Sequence, residues 1–262
     1  MPTLFFTPRY TEDSQALWKA AASLGWKTER LTSWRVPDHL KAVEDPVIYG
    51  EAMFAPALAE QLGRVLRNPP DDWLVRLPYE YKQRNIRMTT LGEARIATEP
   101  AFVKPPNDKS FPADVYRGSE LPAEFEDTMT VLVSEVVRWE REFRCFILDR
   151  QLQTFSIYSR HGELQRDQKF ASEPCEDEEV RAFVCKMLAD QRVELPTTTV
   201  IDVGTIQGKG WACVEQNAAW GAGIYGCDPA AVLRVLQRTS SDADPSHQPT
   251  CYTAQARGAK AQ

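Results

Sequence analysis

Apolar and polar positions divide the chain into a first segment of mixed periodicity and a longer segment dominated by strands. The first segment predicts these elements: a strand at residues 4–7, a helix at 11–24, strands at 27–31 and 47–49, and a helix at 53–66. Thr11 is expected to cap the first helix, and Gly25 to end it. Asn68-Pro69-Pro70-Asp71 then interrupts the pattern. This order predicts a small α/β lobe over residues 1–72.

Beyond residue 72 the pattern is mostly that of strands. The strands are expected at residues 73–76, 93–97, 101–104, 129–137, 143–148, 154–158, 198–203 and 211–216. Helical spacing predicts helices at 177–191 and 229–238. We therefore expect a second domain at 73–240 and an α/β (α+β) fold class. The polar, aperiodic residues 241–262 are expected to form a disordered tail.

Composition narrows the possible partners. The chain has 262 residues, 43% of them hydrophobic and 26% charged, which is ordinary for a globular protein. A net charge of −6 argues against a broad nucleic-acid-binding face. No apolar run reaches the ~18 residues of a membrane span, and the start of the chain lacks a signal-peptide pattern, so we expect a cytoplasmic protein with no membrane partner. The six cysteines have no C-x-x-C spacing, which indicates packed thiols rather than a zinc site.

The most informative chemistry lies at residues 198–217, where two strand-like runs flank a glycine-rich turn. Asp202 is the only charge in the first run. Glu215 and Asn217 share one face of the second run, because alternate residues of a strand point the same way. Pairing across the turn would place Asp202 beside Glu215, and three such oxygen ligands suit Mg²⁺. The alternative is that all three are solvent-facing residues of an ordinary hairpin.

Two further segments could contact a nucleotide. Lys104 ends an apolar strand and Lys109 follows in a loop, where lysines can hold phosphate oxygens, although strand-end lysines are commonly just solvated. The apolar run at 131–137 could leave its ladder and offer main-chain groups to adenine. Glu142, shortly after Glu135, could then accept hydrogen bonds from ribose hydroxyls.

Taken in order, FVKP at 102–105, VSEVV at 133–137 with Glu142, Asp202, and Glu215-x-Asn217 resemble the ATP-grasp superfamily. D-alanine–D-alanine ligase and glutathione synthetase are familiar members, and the likeness is greatest to a small bacterial and phage branch. It covers about residues 73–238. The resemblance implies an ATP-grasp fold, in which a pre-grasp α/β lobe precedes two α+β subdomains that clamp ATP.

The resemblance also implies a role for each matching residue. These are Lys104 and Lys109 for the ATP phosphates, Glu135 and Val137 for adenine, Glu142 for ribose, and Asp202, Glu215 and Asn217 for Mg²⁺. Ligases of this superfamily have an arginine two residues before the first metal-binding acid, where this chain has Val200. The contact with an acyl phosphate would therefore fall to Arg144, Arg160 or Arg76. We favour Arg144, one strand step beyond Glu142, as a catalytic residue together with Lys104.

The implied activity is that of an ATP- and Mg²⁺-dependent carboxylate–amine ligase. It would form an amide through an acyl phosphate, with an amino acid or peptide as the default substrate. Two alternatives stay open: an ATP-dependent phosphotransferase acting on a small acceptor, and a catalytically silent nucleotide-binding protein. Members of the superfamily are often dimers, so a homodimer is a further expectation, without support from particular residues.

Overall fold

The first lobe contains a parallel three-stranded sheet flanked by helices. Its elements are β1 (Thr3–Phe6), α1 (Glu12–Ser23), β2 (Lys27–Arg30), β3 (Pro46–Tyr49), α2 (Ala55–Gln61) and β4 (Arg64–Leu66). The sheet has the order β2-β1-β3. Thr11 caps α1 by accepting a hydrogen bond from the Ser14 N–H. Helix α2 ends before the expected residue 66, because Gly63 has a φ of 66°, a left-handed conformation typical of helix ends.

A four-stranded antiparallel sheet follows the first lobe. Its elements and the helices before it are α3 (Trp73–Arg76), α4 (Tyr79–Lys82), β5 (Ile86–Thr90), α5 (Leu91–Arg95), β6 (Ala101–Lys104), β7 (Asp114–Tyr116) and β8 (Thr130–Ser134). The strand order is β5-β8-β6-β7. We call residues 86–134 the small subdomain. The computed structural model describes residues 1–107 and 109–242.

Two expected strands are helices in the structure. Residues 73–76 form α3, where Trp73 is buried and its Nε1–H donates to the Glu194 carbonyl at 2.7 Å. The expected strand at 93–97 overlaps α5, which Thr90 caps by accepting from the Glu93 N–H at 3.2 Å. Strand β5 lacks the apolar alternation of a typical strand, and the sequence pattern did not predict it. Distant packing and a local cap thus override strand-like composition here.

A five-stranded antiparallel sheet, the large sheet, forms the centre of the molecule. The remaining elements are β9 (Trp139–Leu148), β10 (Gln151–Arg160), β11 (Glu163–Leu164), α6 (Pro174–Ala189), β12 (Thr198–Ile206), β13 (Gly210–Asn217), α7 (Pro229–Leu236) and β14 (Ser240–Asp242). The order is β11-β10-β9-β12-β13. One face packs Phe143 and Val203 against α6. The other face packs Phe146 and Val200 against α7 and the first lobe.

The end of the described chain returns to the first lobe, because β14 pairs with β4. Residues 241 and 242 of the expected disordered tail therefore lie in a strand, and residues 243–262 lie outside the described residues. The domain boundaries after residues 72 and 240 stay a prediction. In the part of the chain that the structure describes, no helix has the length and apolar character of a membrane span.

Glu176 in the first turn of α6 is expected to make stability depend on acid pH. Arg160 donates to both of its carboxylate oxygens at 2.7 and 2.6 Å, and these bonds outweigh burial and lower its pKa to about 2. The stabilisation is fully present above the unfolded-state pKa, about 4.3, and is lost as the pH falls towards 2. Glu176→Gln should therefore flatten the decrease in the free energy of unfolding between pH 5 and 2 by roughly 2 kcal/mol in urea titrations. Glu178→Gln, exposed on the same helix, should keep the wild-type slope.

Candidate active site

The register of three strands brings the predicted metal ligands together. Asp202 in β12 lies opposite Arg144 in β9 and opposite Glu215 in β13. Residues that lie opposite one another in a ladder share a face of the sheet. Asn217, two residues beyond Glu215, therefore lies on the same face, and a bulge in β12 follows Asp202. The pairing that the sequence suggested between Asp202 and Glu215 is present in the structure.

Arg144 and Asp202 form a buried ion pair in the middle of this face. Arg144 donates from Nε to Asp202 Oδ1 at 2.9 Å and from Nη2 to Oδ2 at 2.6 Å. The two side chains are 9% and 1% exposed. Burial raises the pKa of Asp202, and the Arg144 guanidinium opposes this shift. We assign the pair as ionised, because a bidentate guanidinium contact stabilises the carboxylate in a site of low dielectric constant.

Lys104 reaches this face from the small subdomain. Its Nζ donates to Glu215 Oε2 at 2.5 Å, while Asn217 Nδ2 donates to Glu215 Oε1 at 3.0 Å and lies 3.4 Å from Asp202 Oδ2. Burial favours the neutral form of Glu215, but the Lys104 ammonium and these hydrogen bonds outweigh it and lower the pKa of Glu215. Lys104, Arg144, Asp202, Glu215 and Asn217 together form what we call the charged cluster. It lies in a cleft between the small subdomain and the large sheet.

The other predicted nucleotide contacts surround this cleft. Glu142 lies two residues before Arg144 in β9, and its carboxylate accepts from the Tyr158 hydroxyl at 2.9 Å. Opposite it stands Gly204, where a Cβ atom would overlap the Arg141 carbonyl oxygen, so a larger residue would displace this part of β9. Lys109 is exposed in the loop after β6, and its contact with a phosphate stays a prediction.

Glu135 ties together the two chain segments that connect the small subdomain to the rest. The ladder ends at Ser134 and resumes at Trp139. The Glu135 carboxylate accepts from the Asn85 N–H at 3.0 Å and from Asn85 Nδ2 at 2.8 Å, and the hydrogen bond from the Asn85 main chain is the main cause of its lowered pKa. The side chain of Glu135 thus has a role within the protein. The main chain from Glu135 to Val137 is the candidate contact for adenine.

Of the three candidate arginines, Arg144 is the one in the charged cluster. Arg160 pairs with Glu176 of α6. Arg76 pairs on the surface with Asp72 and Glu194. The interpretation that favoured Arg144 for the acyl phosphate therefore agrees with its position, although its role stays a prediction.

Sequence reasoning missed the residues that hold Arg144 in place. Its guanidinium carbon lies 4.8 Å from the ring centroid of Tyr225 and 5.6 Å from that of Tyr158, and its Nη1 donates to the Gly223 carbonyl at 3.0 Å. Such contacts fix the plane of an arginine. Tyr158 stands on β10 and Tyr225 in the glycine-containing loop before α7. No short motif links these two strand and loop positions, so their meeting could not be read from spacing.

Asp13 of the first lobe is a second residue that sequence reasoning missed. Its Oδ2 accepts from the Ile224 N–H at 3.0 Å, and the Tyr49 hydroxyl lies 3.5 Å away. A methyl group added at Gly223 would lie 3.3 Å from Asp13 Oδ2 and 3.6 Å from Arg144 Nη1. Burial raises the pKa of Asp13. The first lobe therefore contributes a carboxylate beside Arg144.

The donor set of the charged cluster is chemically suited to Mg²⁺. Among residues 1–107 and 109–242, no group of three or more His, Cys, Asp or Glu side chains could hold a metal ion. The cluster offers two carboxylates and one amide, Asp202, Glu215 and Asn217. Mg²⁺ in nucleotide sites typically takes one or two carboxylates and completes its coordination with phosphates and water. The residues present fit that pattern.

Comparisons with known proteins agree with this geometry. The sequence model of an ATP-grasp domain, the second family of its clade, matches residues 81–235. No curated protein is similar enough in sequence to match. The fold resembles that of a RimK domain protein ATP-grasp from Sphaerobacter thermophilus DSM 20745, with 15% identity over 89% of this chain and 98% of that chain and a TM-score of 0.53.

Two further solved structures are similar. D-cycloserine synthetase DcsG is 13% identical over 90% of this chain and 99% of that chain, with a TM-score of 0.61. D-alanine–D-alanine ligase from Bacillus anthracis is 12% identical over 91% and 97%, with a TM-score of 0.48. The family match covers more than half of the chain and includes every residue of the charged cluster. The chain therefore belongs to the ATP-grasp superfamily, within the domain family whose model it matches.

Proposed function

We propose that the protein is an ATP- and Mg²⁺-dependent carboxylate–amine ligase. Membership of the ATP-grasp superfamily assigns the chain a ligase-type function that uses ATP. The observation that best supports the finer proposal is the charged cluster, in which two cations and two carboxylates meet between the small subdomain and the large sheet. A site that transfers the terminal phosphoryl group of ATP needs groups of both signs: cations for the phosphates and carboxylates for the metal.

The proposed nucleotide site extends from the hinge to the charged cluster. The main chain of Glu135 and Val137 contacts adenine, Glu142 accepts from the ribose, and Lys104 and Lys109 bind the phosphates. Glu215, Asn217 and Asp202 would hold Mg²⁺. When bound there, Mg²⁺ neutralises charge on the terminal phosphates.

In the proposed reaction, a substrate carboxylate attacks the γ-phosphorus of ATP and ADP leaves, which gives an acyl phosphate. Arg144 donates hydrogen bonds to the transferred phosphoryl group, and the Tyr158 and Tyr225 rings keep its guanidinium in one plane. An amine then attacks the acyl carbon, an amide forms and phosphate leaves. The chain contributes position and charge rather than covalent chemistry. An amino acid or a peptide is the proposed class of substrate, by analogy with the superfamily alone.

Trapping with hydroxylamine tests this proposal. Purified protein is incubated with MgATP and pools of amino acids and short peptides, with and without hydroxylamine, and ADP, phosphate and hydroxamate are measured. A ligase should release ADP and phosphate in equal amounts and form a hydroxamate when hydroxylamine replaces the amine. ADP with a stable phosphorylated product and no free phosphate would contradict ligation and indicate a phosphotransferase. Nucleotide-dependent thermal stabilisation without turnover in any pool would indicate a silent binding protein instead.

A further inference from the structure

The carboxylates of the charged cluster are neutralised by cations of the chain itself. Arg144 donates to both oxygens of Asp202. Glu215 Oε2 accepts from Lys104 at 2.5 Å, and Glu215 Oε1 accepts from Asn217 at 3.0 Å. Each of the four carboxylate oxygens thus has a donor, and two positive charges face two negative charges. A free divalent cation would meet no net negative charge there to attract it.

We propose that Lys104 is a built-in counter-ion that closes the metal-binding carboxylate of Glu215 until a nucleotide draws the lysine away, so that Mg²⁺ enters together with the nucleotide. The inference rests on the proposed function, in which Glu215 and Asn217 hold Mg²⁺. It concerns the order in which metal and nucleotide bind, which the proposed reaction leaves open.

Lys104 is the cation suited to exchange, whereas Arg144 is held in place. The side chains of Lys104 and Glu215 are 16% and 31% exposed, so solvent reaches their contact. Arg144 and Asp202 are almost fully buried, and Arg144 is also bonded to Gly223 and packed against two tyrosine rings. A lysine ammonium on its flexible stem can turn to a phosphate oxygen without rearrangement of the sheet.

The exchange couples the two ligands. When Lys104 turns to a phosphate, Glu215 keeps a negative charge without its counter-ion, and its affinity for a divalent cation rises. By thermodynamic linkage, nucleotide and metal then raise each other's affinity by the same factor. Because Lys104 belongs to the small subdomain and Glu215 to the large sheet, the exchange also replaces a direct contact across the cleft by one through the nucleotide.

Equilibrium dialysis with Mn²⁺ as the probe tests the proposal. Wild-type protein should retain Mn²⁺ weakly alone and strongly with the ATP analogue that has a β,γ-imido group. Lys104→Met should bind Mn²⁺ alone about tenfold more tightly than the wild type, because a competing positive charge next to Glu215 has been removed. Lys41→Met is the matched control, since Lys41 pairs with Asp38 at 2.7 Å in the first lobe, and it should behave as the wild type.

The proposal is overturned if Lys104→Met, with an unchanged melting temperature, binds Mn²⁺ alone no better than the wild type. Lys104→Gln provides a second variant if methionine impairs folding. Glu215→Gln separates this failure from that of the proposed metal site. If Glu215→Gln loses the nucleotide-dependent retention of Mn²⁺, the metal assignment holds, and the Lys104 variants alone decide the counter-ion proposal. If Glu215→Gln retains Mn²⁺ like the wild type, both proposals are wrong.

Discussion

Glu215→Gln is expected to reduce ADP formation by about 10²–10³-fold while the protein stays folded. Glutamine keeps the size of the side chain and can still bond to Asn217, so the packing of β13 should not change. It removes the negative charge that Lys104 now neutralises and that the proposed Mg²⁺ needs. The rate of ADP release under saturating MgATP, on a substrate pool that the wild type uses, measures the effect.

Glu194→Gln is the matched control for this variant. Glu194 also pairs with a basic residue, Arg76, but on the surface and outside the charged cluster. It should keep the wild-type rate, because exposed ion pairs contribute little. Wild-type turnover by a folded Glu215→Gln protein would remove the basis of the metal assignment.

Arg144→Met should cause the largest loss of stability, about 3–5 kcal/mol in the free energy of unfolding. The cost arises because Asp202, which is 1% exposed, would keep a charge without its partner. The rings of Tyr158 and Tyr225 would also lose the guanidinium that they pack against. Urea denaturation of the purified variant measures the change.

A double-mutant cycle distinguishes the ion pair from general damage to the sheet. Asp202→Asn removes the buried charge, so the Arg144→Met/Asp202→Asn protein should be considerably less destabilised than the sum of the two single variants. A coupling energy of roughly 2 kcal/mol or more is expected between residues in one buried network. Strictly additive effects would show that the two side chains do not act as a pair.

The sequence indicated the charged face of the large sheet because that face follows a local rule. Alternation places Glu215 and Asn217 on one side of a strand, and Asp202 stands out as a lone acid between Ile201 and Val203. The turn between the two strands then determines their register, so the position of Asp202 beside Glu215 could be predicted.

Features that depend on distant contacts could not be predicted in this way. The capping of α5 and the burial of Trp73 against Glu194 made helices of two segments with strand-like composition. The contact of Lys104 with Glu215 depends on how two sheets face each other, and the position of Asp13 depends on how the first lobe packs on the loop before α7. No spacing rule within one element carries such information.

A crystal structure with the β,γ-imido analogue of ATP and Mg²⁺ tests the central claim most directly. The account predicts a metal ion bound by Glu215 and Asn217, beside Asp202, that bridges the terminal phosphates, with Lys104 Nζ moved from Glu215 to a phosphate oxygen. A nucleotide bound elsewhere, with the Lys104–Glu215 contact intact and no metal at the charged cluster, would contradict it.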